Sequence, residues 1–260
     1  LFFIFSISTV LAQDFYLNTN GVTCMCPDAA VGDTGVVNGV TYTKRTAAQI
    51  TTTNAATTCT SGITDMSYMF AGAAQFNQDI SSWDVSNVTL MSHMFVGTIF
   101  NQPIGNWDVS NVTDMSYVFS GSEEFNKDIG NWDVGNVIFI AGMFYGANSF
   151  NQPIGNWDVS NVTDMFWMFR EATSFNQPIG NWDVSNVTNL NVMFYISSAF
   201  NQDLSNWQFN PNVGLEYFLH NSGLDSNNYD ALLEAFSNQN LANKTLGAQS
   251  LTYCNVSARE

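Results

Sequence analysis

Tryptophan sets the ruler for this chain. Six of its seven tryptophans are Trp83, Trp107, Trp132, Trp157, Trp182 and Trp207, one step of 24 followed by steps of 25. Phenylalanine keeps the same beat at Phe76, Phe100, Phe125, Phe150, Phe175 and Phe200. The string NQPIGNWDVSNVTDM begins at Asn101 and returns letter for letter at Asn151, with near copies from Asn77, Asn126 and Asn176. A fixed period of this length marks stacked supersecondary units. One unit cannot bury its Phe, Trp, Met and Ile by itself; against a neighbouring copy it can. Each aromatic removes about 150–250 Å² from water, so the Phe and Trp of one unit contribute several kcal/mol before chain entropy is subtracted.

Within a unit the spacing changes. Met66, Met69, Phe70 and Ala73 follow helical spacing, as do Met91, Met94 and Phe95, and Met165, Met168 and Phe169; this predicts one or two helical turns per unit. The segment after it, Phe-Asn-Gln-Pro-Ile-Gly-Asn-Trp-Asp-Val, predicts a short strand, a bend and a second extended piece. Pro103, Pro153 and Pro178 share a slot with Asp79, Asp128 and Asp203, so no ladder bond needs the backbone N–H there. The expected fold is an α/β repeat solenoid, leucine-rich-repeat-like, with coils of 24–25 residues spanning 61–219.

The flanks differ, as caps must. Residues 13–60 are rich in Thr and Gly, and Asn38-Gly39 between Val37 and Val40 predicts a hairpin. After Phe218 the repeat stops. Asp225-Ser226 followed by Tyr229, Leu232, Leu233 and Phe236 predicts a capped amphipathic helix within a closing cap over 220–260. Residues 1–12 read as a signal peptide: an apolar run, too short to span a membrane, ending in Val10-Leu11-Ala12. With neither an initiator Met nor a basic n-region, the true start is expected upstream. The other reading of this run is a buried first strand. No transmembrane segment is expected in the chain.

Four cysteines, Cys24, Cys26, Cys59 and Cys254, all lie outside the repeats. In an exported chain pairing is the default, and three pairings are possible. Staples for the end caps are expected; a Cys-Met-Cys metal or redox site is the alternative, though no histidine is near. The charge balance is one-sided, with 22 acidic residues against 6 basic and a net charge of −16. That excludes a nucleic-acid backbone or an anionic membrane surface as partner.

On these residues the chain resembles the BspA-like leucine-rich-repeat surface protein family. The resemblance rests on the repeat Phe76-Asn-Gln-Asp-Ile-Ser-Ser-Trp-Asp-Val-Ser-Asn-Val-Thr and on the preceding segment Val31 to Tyr42. The closing helix Ser226 to Phe236 and the segment Leu251-Thr-Tyr-Cys254 add to it. It implies an extracellular, non-enzymatic role, often adhesion or surface interaction, and further chain after Ala258-Arg259. It brings no catalytic residues. The units depart from pattern at Ile138-Phe139-Ile140, in place of Thr-Asp-Met, and at Gln208, where other units carry Asp.

Several constellations have two readings. Asp84, Asp108, Asp133, Asp158 and Asp183 share one register after the Trp. They form either a column of Ca²⁺ ligands or a series of turn caps. Asp65, Asp114 and Asp164 read as caps of the helical turns. The sequons at Asn87, Asn111, Asn161 and Asn186 belong to the repeat and are expected to form an inward ladder that carries no glycan. Asn243 and Asn255, outside the repeats, are the glycosylation candidates. Neither of the two histidines, His93 and His220, lies in a catalytic motif. No enzyme and no cofactor is expected, with Ca²⁺ the one possible ion. Variation between units marks a binding patch at Tyr145, Phe166, Trp167, Arg170 and Tyr195; the other reading is packing variation. Two functions follow: a secreted or cell-surface module binding an extracellular protein or glycan, or a matrix component that self-associates with Ca²⁺.

Overall fold

The computed structural model describes residues 14–241, 244 and 246–252. Residues 1–12, read above as a signal peptide, and Asn243, Cys254 and Asn255 lie outside the described residues. The N-terminal cap holds two small sheets. β1 (Tyr16–Leu17) pairs antiparallel with β2 (Cys24–Met25). β3 (Thr34–Val37) pairs antiparallel with β4 (Val40–Lys44), which pairs parallel with β5 (Thr58–Cys59). Asn38 and Gly39 form the two-residue turn, both with positive φ (51° and 80°), as a type I′ hairpin requires.

From Thr60 onward the chain runs as similar units laid one on another. Residues one period apart are joined by parallel bridges in a single column, Asp65, Leu90, Asp114, Phe139, Asp164, Asn189 and Gly214. That is one bridge residue per unit, so the extended pieces are shorter than the spacing predicts. The Met-rich runs also differ from expectation. They are chains of tight turns, and the only α-helix among the described residues is α1 (Ser226–Asn238).

The hydrogen bonds explain why. In residues 66–73 the N–H groups of Met69, Ala71 and Ala73 donate three residues back, to Met66, Tyr68 and Phe70. The alternate N–H groups of Met66, Tyr68, Phe70 and Gly72 donate instead to Leu90, Ser92, Met94 and Val96 of the next unit, at 2.8–3.0 Å. The same four-bond step recurs, for example from Met165, Trp167, Phe169 and Glu171 to Asn189, Asn191, Met193 and Tyr195. An α-helix would spend every N–H internally. Here half are spent on the neighbour, and helical apolar spacing survives because consecutive turns also return a side chain to the same face every three or four residues.

The core is built from aromatic columns. Phe70, Phe95, Phe119, Phe144, Phe169 and Phe194 stack at 5.6–6.0 Å. Each lies 3.7–4.1 Å from the second phenylalanine of its unit. Trp83, Trp107 and Trp132 stack at 6.4 Å with rings within 5° of parallel. Each indole N–H finds an acceptor one unit back: Trp132 donates to Ile104 O, Trp157 to Ile129 O and Trp182 to Ile154 O. The buried indole is therefore both apolar filling and a hydrogen-bonded pin.

Both ends are closed. On the N-terminal side Trp83 donates to Ala55 O, and Gln78 reaches Thr52 O. Cys26 and Cys59 are disulfide-bonded, which staples the cap. Cys24 corrects the expectation that every cysteine pairs: it is a free, buried thiol, pushed up to about 11 by burial and then by the Asp84 carboxylate. It sits in the cap's own small core with Phe15, Ala29 and Val37. At the other end Asp225 caps α1 by accepting from Asn228 N–H at 3.0 Å. The helix lays Tyr229, Leu232, Ala235 and Phe236 inward, with Phe236 4.7 Å from Phe209. Leu219 and Asn221 N–H then donate to Gly247 and Gln249, which supply the last ladder carbonyls.

Phe144 touches the columns on both sides. We expect Phe144→Ala to cost about 3–5 kcal/mol, read as a lower urea midpoint. A loss below about 1 kcal/mol would mean that the units do not depend on this column.

Candidate functional site

The sequence-predicted patch comes together in space. Arg170 follows the turn run of its unit, and its guanidinium lies over three rings: 4.8 Å from Trp167, 5.1 Å from Tyr145 and 5.3 Å from Tyr195. Tyr145 and Tyr195 sit one period before and after Arg170, so stacking the units places one ring on either side of it. Phe166 stacks on Trp167 at 4.6 Å. Glu171 accepts from Arg170 Nε at 3.1 Å and closes an ion pair with its Nη2 at 3.0 Å. All five patch residues are half-buried.

The patch opens into a groove of ≈ 520 Å³ that also takes in Asn191, Val192, Glu216 and Tyr217. Sequence reasoning missed these four. They occupy the Phe166-Trp167 slots one and two periods later, so carrying the register forward would have found them. Tyr217 is 53% exposed. A second hollow of ≈ 330 Å³ shares Glu216 and Tyr217 and continues to His220, Gly247, Ala248 and Gln249. His220 stacks on Tyr195 at 5.7 Å.

The backbone is unusual at the same place. Each unit has two positive-φ slots. The first holds Tyr68, His93, Tyr117, Gly142, Trp167, Val192 and Tyr217; the second holds Gly72, Gly97, Gly121, Gly146, Glu171, Ile196 and Asn221. Glycine accepts this conformation freely, whereas a side-chained residue pays about 1–2 kcal/mol. Four units use glycine in the second slot, and the three that border the groove do not. Strain of this kind concentrates where function over-determines the backbone. Gly142 is required for a different reason: a Cβ there would sit 2.2 Å from the Tyr117 ring.

Tyr68, His93 and Tyr117 form an outer stack at 4.4 and 4.8 Å. His93 Nδ1 is buried there without a hydrogen-bond partner. Burial lowers its pKa, while the Asp114 carboxylate pulls it the other way.

The aspartate column behaves as turn caps. Oδ1 of Asp84, Asp108, Asp133, Asp158 and Asp183 each accepts the N–H two residues on, at 3.0–3.2 Å. Hydrogen bonds from Ser160 and Ser185 lower the pKa values of Asp158 and Asp183. Asp65, Asp114 and Asp164 likewise accept from Ser67, Ser116 and Phe166. Among the described residues no group of three or more His, Cys, Asp or Glu side chains is placed to hold a metal ion.

The sequon asparagines do form a ladder, but it faces out. Asn111, Asn161 and Asn186 donate to Ser86 O, Gly135 O and Ser160 O at 2.6–2.8 Å, and all three are exposed, as is Asn87. The inward position expected of them is taken by the valine that follows, Val112, Val162 and Val187. A second ladder runs through Asn77, Asn101, Asn126, Asn151, Asn176 and Asn201, each Oδ1 accepting the N–H one period on.

Two stability measurements test this geometry. Gly97 has open space where a Cβ would go, so Gly97→Ala should cost about 1 kcal/mol through φ alone, and Ile196→Gly should be no less stable than the parent. A neutral Gly97→Ala would remove the argument from strain. His93→Tyr, the residue type of its stack neighbours, should add about 0.5–1 kcal/mol by removing the unpartnered nitrogen. Because the folded pKa of His93 is lowered, the stability of the neutral form is complete above about pH 6.5 and is lost as pH falls below it. The His93→Tyr gain should therefore grow between neutral and mildly acidic pH; a pH-independent gain would contradict this.

No helix among the described residues is long and apolar enough to cross a membrane. Neither curated proteins nor solved structures furnish a match to the chain. The family model described as Mycoplasma protein of unknown function, DUF285, matches residues 41–140 and 127–231. These two stretches take in the hairpin's second strand, every stacked unit and the start of α1, and together they span most of the 260 residues. The chain belongs to the DUF285 family.

Proposed function

We propose that this chain is a secreted or cell-surface, BspA-like binding module: a leucine-rich-repeat-like solenoid whose groove around Arg170 engages an extracellular protein or glycan, without catalysis. The observation that carries the reading is the contrast between units. The ladder and core are nearly invariant, while half-buried aromatics around Arg170, its ion pair with Glu171 and the side-chained residues of the second positive-φ slot gather in the units that border one groove. Aromatic residues and arginine, packed but reachable, are the residue types that dominate binding energy at interfaces. The acidic columns serve the turns in this reading, and the charge of −16 keeps the module away from polyanions. Secretion is supported by the N-terminal apolar run and by the disulfide between Cys26 and Cys59.

The test is capture of partners from surface and secreted extract of the source, with and without Ca²⁺, followed by direct binding to the purified partner. Parent protein should bind, and the Trp167→Ala, Arg170→Ala double variant should bind at least about tenfold more weakly, a loss of about 1.4 kcal/mol. Calcium-driven assembly of the protein with itself and no partner would overturn the reading in favour of a structural matrix component.

A further inference from the structure

We infer that the groove takes a neutral carbohydrate chain, lying along the face from Trp167 past Tyr217 to His220. The inference rests on the binding reading above and narrows it to one ligand chemistry. The charge, open shape and spacing of the lining carry it.

A cation is the first ligand that such a set of rings suggests, but the position over Tyr145, Trp167 and Tyr195 is already filled by Arg170. An anion fares no better, because the one groove cation is neutralised by Glu171 and Glu216 adds a further negative charge. An apolar ligand would want an enclosed pocket with few polar groups, whereas this is an open trough edged by Arg170, Asn191 and Glu216. What remains is a ligand with apolar C–H faces and many hydroxyls. Ring faces suit the former; guanidinium, carboxamide and carboxylate groups suit the latter.

Shape points to a chain in place of a single sugar. The two hollows share Glu216 and Tyr217, so they adjoin along one face that extends to Gln249. Trp167 and Tyr217 occupy the same slot two units apart, roughly 10 Å at about 4.8 Å per unit, which sets aromatic surfaces at intervals along a linear ligand. Trp167, Val192 and Tyr217 share the first positive-φ slot (60°, 64° and 54°), which the ladder sets in every unit, and all three line the trough.

Trp167 is also the reporter. The other six tryptophans are 0–4% exposed, so quenching by iodide reads Trp167. The full disulfide-bonded protein is titrated with four neutral hexasaccharides, of β-1,3-glucan, β-1,4-glucan, chitin and β-mannan type. A heparin hexasaccharide and an oligolysine peptide serve as charged comparators. At least one neutral chain should protect Trp167 saturably, with an affinity unchanged between low and high salt. Tyr217→Ala, with a thermal midpoint near the parent's, should weaken that affinity at least about tenfold; should it fail to fold, Tyr217→Phe with Asn191→Ala replaces it, with a smaller loss expected.

Two results overturn the inference. Salt-sensitive binding of a charged comparator alone would name a different ligand class. No response to any neutral chain, while a protein partner is still lost on changing Trp167 and Arg170, would leave the binding reading standing and remove the carbohydrate. If that partner is absent too, both fall.

Discussion

Everything in this molecule depends on how each turn run divides its backbone donors. Alternate N–H groups close local turns, and the others cross to the carbonyls of the next unit. A buried amide without a partner costs more than a made hydrogen bond returns, so a unit with half its donors pointing outward cannot stand alone. The same division dictates the backbone. To aim every second N–H along the stack, two residues per unit must adopt positive φ. That is why tyrosine, histidine, tryptophan and valine occupy a conformation usually left to glycine.

The side chains follow from that backbone. With units held in register by four bonds per step, identical residues are superposed and the aromatics have no choice but to stack. Column geometry then adds interactions that one unit lacks, such as the indole N–H bond to the preceding isoleucine carbonyl. The acidic column is tolerated for a related reason. Each carboxylate is paid for locally by the backbone N–H of its own turn, so like charges one period apart need no ion between them.

An open ladder is a hazard, because unpaired edges recruit other chains. This chain ends its ladder by substitution. Asp225 takes the place in the asparagine ladder one period after Asn201, donating its N–H to Asn201 Oδ1 while its side chain starts α1. One residue therefore terminates the repeat and begins the cap. At the other end the cap's loops supply Ala55 O and Thr52 O as acceptors.

Periodicity was enough to place the repeated units, the aromatic columns and the cluster of Tyr145, Phe166, Trp167, Arg170 and Tyr195, and local turn and cap signals placed the hairpin at Asn38-Gly39 and the capped helix after Asp225. All of these rest on local pattern or on register, and register is one-dimensional. Three things were decided only in three dimensions. The Met-Phe runs became turns because their donors are claimed by a neighbour, and helical spacing cannot reveal where an N–H is spent. The sequon asparagines point outward because the valine beside each one takes the core, a choice between adjacent residues that composition leaves open. The groove reaches Asn191, Val192, Glu216 and Tyr217 because stacking lays their slots in a row with that of Phe166 and Trp167. Register names these positions, but only the stacked backbone shows that a hollow opens between their side chains.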